Sequence, residues 1–265
     1  MDTFIIILKG LIVGSSMLVP GLSGSSMAII LGIYDKLISS VSSFMKHKRS
    51  SFLFLALFSI GAIIGILLFS KPILSLLEKY PMPMHYLFIG AAIGSIPLIF
   101  RQAKASSISI KTVCYIAVGI LIVLLFSISV NNIKDIDLKA GFLSSLLLIL
   151  AGFIIAIALV LPGISISYML LLIGLYDETI RAITEFYFPF LVPIGIGFIL
   201  GIILTTKTLE KLMDKYPEPT YLIILGFILG SVVEIFPGVP NLSNILICLL
   251  TLSLGFAITY TISRK

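Results

Sequence analysis

Two short segments hold the residues whose chemistry stands out. Pro20-Gly21-Leu22-Ser23-Gly24-Ser25-Ser26 and Pro162-Gly163-Ile164-Ser165-Ile166-Ser167 each interrupt an otherwise apolar stretch. Proline removes a backbone donor and stops the helix before it. Glycine permits the sharp turn that follows. The serines can cap the helix that restarts, through their hydroxyls. In lipid, every freed backbone group must be satisfied again, so an irregular segment at membrane depth belongs inside the protein or against a water-filled cavity. A helix restarting near Ser23, and its twin near Ser165, would aim unpaired N–H groups and a positive dipole end at that cavity. Such an end, with Ser23, Gly24, Ser25 and Ser26 on one side and Ser165 and Ser167 on the other, suits an anion. A proline kink used only for packing is the plainer alternative. Its occurrence twice, with matched hydroxyls, favours a ligand site built from both breaks, Pro20, Gly21, Pro162 and Gly163 included.

The breaks belong to a longer internal repeat. At an offset of 142, nine of the nineteen positions from Pro20 to Ile38 are identical to their counterparts: Pro20, Gly21, Ser23, Ser25, Met27, Gly32, Tyr34, Asp35 and Ile38. The register then continues at an offset of 136. Gly61, Gly65, Lys71, Gly90, Gly94 and Ser95 face Gly197, Gly201, Lys207, Gly226, Gly230 and Ser231, and Lys79-Tyr80-Pro81 faces Lys215-Tyr216-Pro217. Chance likeness between apolar helices matches Leu to Ile; it does not match Pro, Gly, Tyr, Asp and Lys in register.

Other residues are weaker candidates. Tyr34-Asp35 and Tyr176-Asp177 end the second arm of each broken segment, where an interfacial tyrosine beside a solvated carboxylate is the ordinary reading. A gating or proton-carrying role for Tyr34, Asp35, Tyr176 and Asp177 is the sharper one. Glu234 lies near the end of an apolar span, and an intramembrane acid is a functional candidate. The Gly-x-x-x-Gly pairs read as helix-packing faces. Lys71–Lys79 and Lys207–Lys215 read as short interfacial helices suited to anionic headgroups. Cys114 and Cys248 fall in apolar spans at unmatched positions and read as small apolar residues.

Catalytic and cofactor signatures are missing. There is no His-Glu-x-x-His, no Cys/His ligand cluster, no glycine-rich nucleotide loop and no Gly-x-Ser-x-Gly elbow. With two histidines in the chain, no catalytic residue, metal ligand set or cofactor is expected. A lipid-phosphate hydrolase is disfavoured on this ground. A net charge of +6 comes with no basic patch interleaved with aromatics, so nucleic-acid binding has no support.

The elements that must position the breaks are membrane helices. The chain is 59% hydrophobic and 11% charged, against roughly 25% charged in soluble domains. Runs near the ~20 residues that cross a bilayer are 52–70, 85–100, 112–130, 141–161, 188–206, 221–236 and 244–262. Each Pro-Gly break divides its stretch into two pieces, a re-entrant hairpin or two short spans, and three spans follow in each half. Either count is odd, so the halves, residues 1–140 and 141–265, would insert in opposite orientations within one membrane domain. That is an all-α polytopic protein of two inverted repeats, the plan of secondary transporters. The side holding the N-terminus collects thirteen basic residues (Lys9, Lys36, Lys46, Lys48, Arg49, Arg101, Lys104, Lys111, Lys207, Lys211, Lys215, Arg264 and Lys265) and the other side five (Lys71, Lys79, Lys134, Lys139 and Arg181). Both termini are therefore expected in the cytoplasm.

At the Pro-Gly-x-Ser repeats the chain resembles the domain of unknown function 368 family, whose members include undecaprenyl-phosphate translocases. The resemblance runs from about Gly10 to Phe236, and its most specific parts are residues 20–25 with Gly32-Ile33-Tyr34 and residues 161–165 with Gly174-Leu175-Tyr176. Ser25 and Ser26 stand where the family tends to have Gly and Thr, Met17 where it often has Asn or Asp, and Ile166 where it usually has Gly. The resemblance implies a flippase in the bacterial cytoplasmic membrane that returns polyprenyl phosphate to the cytoplasmic leaflet during wall synthesis. A carrier for a small soluble anion would use the same kind of site. A homodimer is compatible with either.

Overall fold

The computed structural model describes residues 2–17, 23–44, 46, 48–104, 109–128, 142–166, 169–170, 173–242 and 244–264. Among the described residues the secondary structure is helical. The first half contains α1 (Thr3–Ser16), α2 (Gly24–Ile30), α3 (Tyr34–Ser42), α4 (Lys48–Lys79), α5 (Pro81–Gly94), α6 (Ile96–Ala103) and α7 (Ile110–Ile128). The second contains α8 (Phe142–Val160), α9 (Tyr176–Thr184), α10 (Phe188–Lys215), α11 (Pro217–Ile235) and α12 (Ile245–Arg264). By length and composition α4, α5 with α6, and α10 can cross a membrane, and α1, α7, α8, α11 and α12 are shorter apolar helices. Large apolar side chains cover their outer faces, among them Leu67 at 72% and Leu250 at 62% exposed. Such a surface is stable only against lipid or another apolar partner.

The helix ends follow local chemistry. Pro81 and Pro217 push the residue before each out of the helical region, and Tyr80 (φ −133°, ψ 58°) and Tyr216 (φ −132°, ψ 62°) adopt nearly the same bend. The segments Lys71–Lys79 and Lys207–Lys215 are not separate interfacial helices. They are the last turns of α4 and α10, of 32 and 28 residues, because Leu, Glu and Lys carry a helix on after its apolar part ends.

The second arm of the first broken segment is likewise not one helix. Leu31 and Gly32 turn the chain between α2 and α3, with Gly32 at φ +61°. Ile33 N–H donates to the Ala28 carbonyl (2.9 Å), the long-range bond that closes a glycine-terminated helix. The second half repeats the turn: Gly174 has φ +70° and Leu175 N–H donates to the Leu170 carbonyl (2.9 Å). Tyr34 and Tyr176 thus begin helices rather than end them.

Glycines set the helix pairs. In α1–α4, a methyl group on Gly61 or Gly65 would overlap the carbonyl of Ile7 or Leu11. In α8–α10, Gly197 and Gly201 meet Ile149 and Phe153 in the same way. Each partner lies 142 or 136 positions beyond its counterpart. The other two pairs cross between halves. Gly90 of α5 rests on Leu252 of α12, while Gly226 of α11 rests on Ile116 of α7, and Gly119 and Gly255 repeat the relation from the opposite helices. Close approach of this kind is how membrane helices gain packing energy without a hydrophobic drive between them. The buried centre is formed by α2, the turn after it and α11, through Ile29, Ile33, Leu222, Ile224, Leu225 and Ile228.

Four buried hydroxyls are satisfied by carbonyls three or four residues earlier in the chain. Ser95 donates to Ala92 O (2.7 Å), Thr206 to Ile202 O (2.7 Å), Ser231 to Ile228 O (2.8 Å) and Thr259 to Gly255 O (3.0 Å). Local back-bonding of this kind lets a hydroxyl sit among apolar side chains at little cost.

Candidate functional site: where the two breaks meet

Ser23 is the N-cap of α2. It is extended (φ −85°, ψ 143°), and its hydroxyl accepts from Ser26 N–H at 3.1 Å. The sequence Ser-Gly-Ser-Ser therefore restarts the helix as capping chemistry dictates. The same hydroxyl is hydrogen-bonded to those of Ser26 (2.7 Å) and Ser25 (3.1 Å).

The cluster reaches the second break directly. Gly163 N–H is shared between Ser23 Oγ (3.0 Å) and Ser26 Oγ (2.9 Å). Ser25 donates to the Leu161 carbonyl (3.0 Å), and Tyr34 donates its hydroxyl to the Val160 carbonyl (2.8 Å). Leu161 and Val160 are at the end of α8, where the break leaves carbonyls without a helical partner. First-break hydroxyls thus fill the donor and acceptor needs that Pro162 creates in the second. Gly163 has φ +81°, and a methyl group there would overlap the Phe227 carbonyl of α11, so only glycine fits the turn.

A cavity of about 220 Å³ opens beside this joint. Ser23 and Gly24 line it from the first break, Ile164, Ser165 and Ile166 from the second, and Met17 closes one wall with Ala158 and Leu159. Met17 and Ile166, two of the four positions named above as departing from the family pattern, both border the cavity.

Tyr34 is a core residue, 2% exposed, and not an interfacial anchor; Asp35 beside it meets Gln102 Nε2 at 3.3 Å and faces the Tyr221 hydroxyl, with Asp214 nearby. Tyr176 and Asp177 sit at the start of α9, where Glu178 and Arg181 form an exposed pair at 3.8 Å. Glu234 falls in α11, and its side chain lies outside what is described, as do Pro20, Gly21 and Ser167. Among the described residues no group of three His, Cys, Asp or Glu side chains could hold a metal.

Sequence reasoning missed two polar contacts. Both Ser42 and Ser43 donate to the Glu210 carboxylate of α10, Ser43 at 3.4 Å, and Lys9 of α1 donates to the Leu31 carbonyl at 2.7 Å. No spacing rule links residues 168 positions apart; only the partial burial of hydroxyls on an amphipathic α3 hints at a partner.

These elements define a polytopic helical membrane protein with a polar joint between two helix breaks. The chain belongs to the undecaprenyl phosphate translocase-like family, whose model matches residues 13–247. It is similar to a polyprenyl-phosphate transporter of Staphylococcus aureus, at 32% identity over 97% of this chain and 95% of that one. It is also similar to a polyprenyl-phosphate transporter of Vibrio cholerae, at 29% identity over 89% of this chain and 78% of that one. The family is one of transporters, not enzymes. No solved structure matches the chain.

Proposed function

We propose that the protein carries polyprenyl phosphate, undecaprenyl phosphate above all, from the outer to the cytoplasmic leaflet of a bacterial cytoplasmic membrane, where the lipid carrier re-enters wall synthesis. The observation that carries this reading is the joint itself, Gly163 N–H against Ser23 and Ser26 with Ser165 across one cavity. An isolated ion moved into a medium of dielectric about 4 meets a barrier of tens of kcal/mol unless hydrogen bonds replace its water. The serine hydroxyls and the Gly163 N–H are donors a phosphate monoester can use. In the arrangement described the Ser23 and Ser26 hydroxyls and the Gly163 N–H satisfy one another, so the bound headgroup exchanges with those internal bonds.

The two halves are inverted repeats, each a re-entrant hairpin followed by three spans. The recurrence of glycine contacts at fixed offsets supports this, and so does the exchange of final helices, α7 on α11 and α12 on α5. Both termini lie in the cytoplasm, on the side richer in Lys and Arg. A repeat of this kind supplies inward- and outward-open states of similar energy. With the cytoplasm negative, each inward-moving charge is opposed by about 2.3 kcal/mol per 100 mV. Proton co-transport offsets that cost, and Asp35, Asp177 and Glu234 are the carriers this reading nominates.

Competition tests it. Lipid phosphates should displace labelled undecaprenyl phosphate from the purified protein, and water-soluble phosphates should not. The reverse order would make the protein a soluble-anion carrier. A transport rate indifferent to an imposed pH gradient would remove the proton from the mechanism.

A further inference from the structure

Beside the cavity at the breaks lies a second chamber of about 270 Å³. The two share Met17, Gly24 and Leu159 as a common wall. The chamber runs between α1, α2, α3, α4, α8 and α10, and Val41, Phe58 and Ile202 are among its apolar lining. Three hydroxyls also line it, on Ser25, Tyr34 and Thr206. Each is already donated to a backbone carbonyl: Ser25 to Leu161, Tyr34 to Val160 and Thr206 to Ile202, at 3.0, 2.8 and 2.7 Å. With those donors occupied, the wall offers little to water or a second anion, and an apolar cavity of this kind takes hydrocarbon.

We propose that this chamber binds the first isoprene units of the lipid, the part of the chain attached directly to the phosphate. The inference rests on the phosphate site proposed above and adds a second point of recognition to it. Its size falls just below the roughly 300–1,000 Å³ of pockets that enclose drug-sized ligands. The chamber therefore holds the beginning of a polyprenyl chain and leaves the rest in the bilayer. Two consequences follow. Affinity rises steeply from a bare phosphate to a short isoprenyl phosphate and then levels off with chain length. The soluble-anion alternative loses ground, because an apolar chamber adjoins the phosphate site.

The test is binding of inorganic phosphate, geranyl phosphate, farnesyl phosphate and undecaprenyl phosphate to the purified full chain. Farnesyl phosphate should bind more than about tenfold tighter than inorganic phosphate and close to undecaprenyl phosphate. The filled variant Val41→Phe/Ile202→Phe should lose that advantage. In the wild-type protein, farnesyl phosphate bearing a photoreactive group on its first isoprene unit should label residues of α3 or α10 that line the chamber, a readout that needs no variant to fold. Undiminished farnesyl phosphate affinity in a folded filled variant, or labelling confined to the lipid-facing helix surfaces, overturns the chamber alone. Failure of undecaprenyl phosphate to bind wild-type protein overturns the phosphate site, and the chamber with it.

Discussion

Gly163 places its backbone N–H 3.0 Å from the Ser23 hydroxyl, although the two stand 140 positions apart in the chain. Ser23 lies beyond the end of α1 and Gly163 beyond the end of α8, so each break supplies what the other lacks. The bond fixes two irregular segments against each other in surroundings where an unpaired amide costs several kcal/mol.

Removing the Ser23 hydroxyl should therefore weaken the fold twice over. Ser23→Ala loses the cap of α2, worth about 1 kcal/mol, and leaves Gly163 N–H with Ser26 alone. Ser25→Ala loses the bond to Leu161, also of about 1 kcal/mol, and the bond to the Ser23 hydroxyl, but keeps the cap and both contacts to Gly163 N–H. Thermal unfolding in detergent should rank Ser23→Ala below Ser25→Ala, and both below wild type. Equal midpoints for all three would show that the joint adds nothing to stability.

Glycine substitutions should divide sharply by position. Gly163→Ala combines a left-handed backbone with overlap on Phe227, whereas a methyl group on Gly195 meets nothing within 4 Å. Gly195→Ala should leave the protein intact and stabilise α10 by about 0.5–1 kcal/mol. Gly163→Ala should abolish a monodisperse gel-filtration peak or lower the unfolding midpoint by many degrees. Similar behaviour of the two variants would contradict the turn described for the second break.

The exchanged helices should respond in parallel. Gly90 on Leu252 and Gly226 on Ile116 are the same contact made by different halves. Gly90→Val and Gly226→Val should each cost several kcal/mol through overpacking and lost helix approach. Unfolding midpoints that fall by comparable amounts support the paired relation. One tolerated substitution and one lethal one would break it.

The contact of Ser42 and Ser43 with Glu210 has no twin among the described residues. In α9 the corresponding Thr184 turns its hydroxyl back to Ile180 and Arg181 of its own helix, at 3.1 and 2.9 Å. Among the described residues α3, and not α9, is tethered to the other half in this way. Glu210→Leu should free it and raise the labelling rate of a cysteine introduced at Leu37, in a background lacking Cys114 and Cys248. An unchanged rate would mean that apolar packing alone holds α3 in place.

Much of this was legible in the sequence, for reasons that differ by residue. Pro20 and Pro162 announce breaks because proline acts locally. The caps at Ser23 and the bends at Tyr80 and Tyr216 follow from the same short-range rules. The Gly-x-x-x-Gly pairs announce close packing because nothing else explains small residues at that spacing in apolar helices. Which helix each would meet was not legible. Gly90 reads alike whether its partner is α7 or α12, since that choice depends on the three-dimensional path of both halves. The same limit hid the partnership of Ser42 with Glu210. Tyr34 misled for a different reason: a tyrosine followed by aspartate after a glycine turn looks like an interfacial pair, yet its hydroxyl goes to a carbonyl freed by the distant break at Pro162.

The most direct test of the account is translocation of labelled undecaprenyl phosphate in proteoliposomes holding the wild-type chain or Ser165→Ala, a variant that leaves the Ser23–Gly163 bond untouched. Movement catalysed by wild-type protein and cut at least about tenfold, near 1.4 kcal/mol in barrier, by the folded variant is the predicted result. No movement by folded wild-type protein, with and without a proton gradient, would contradict the account.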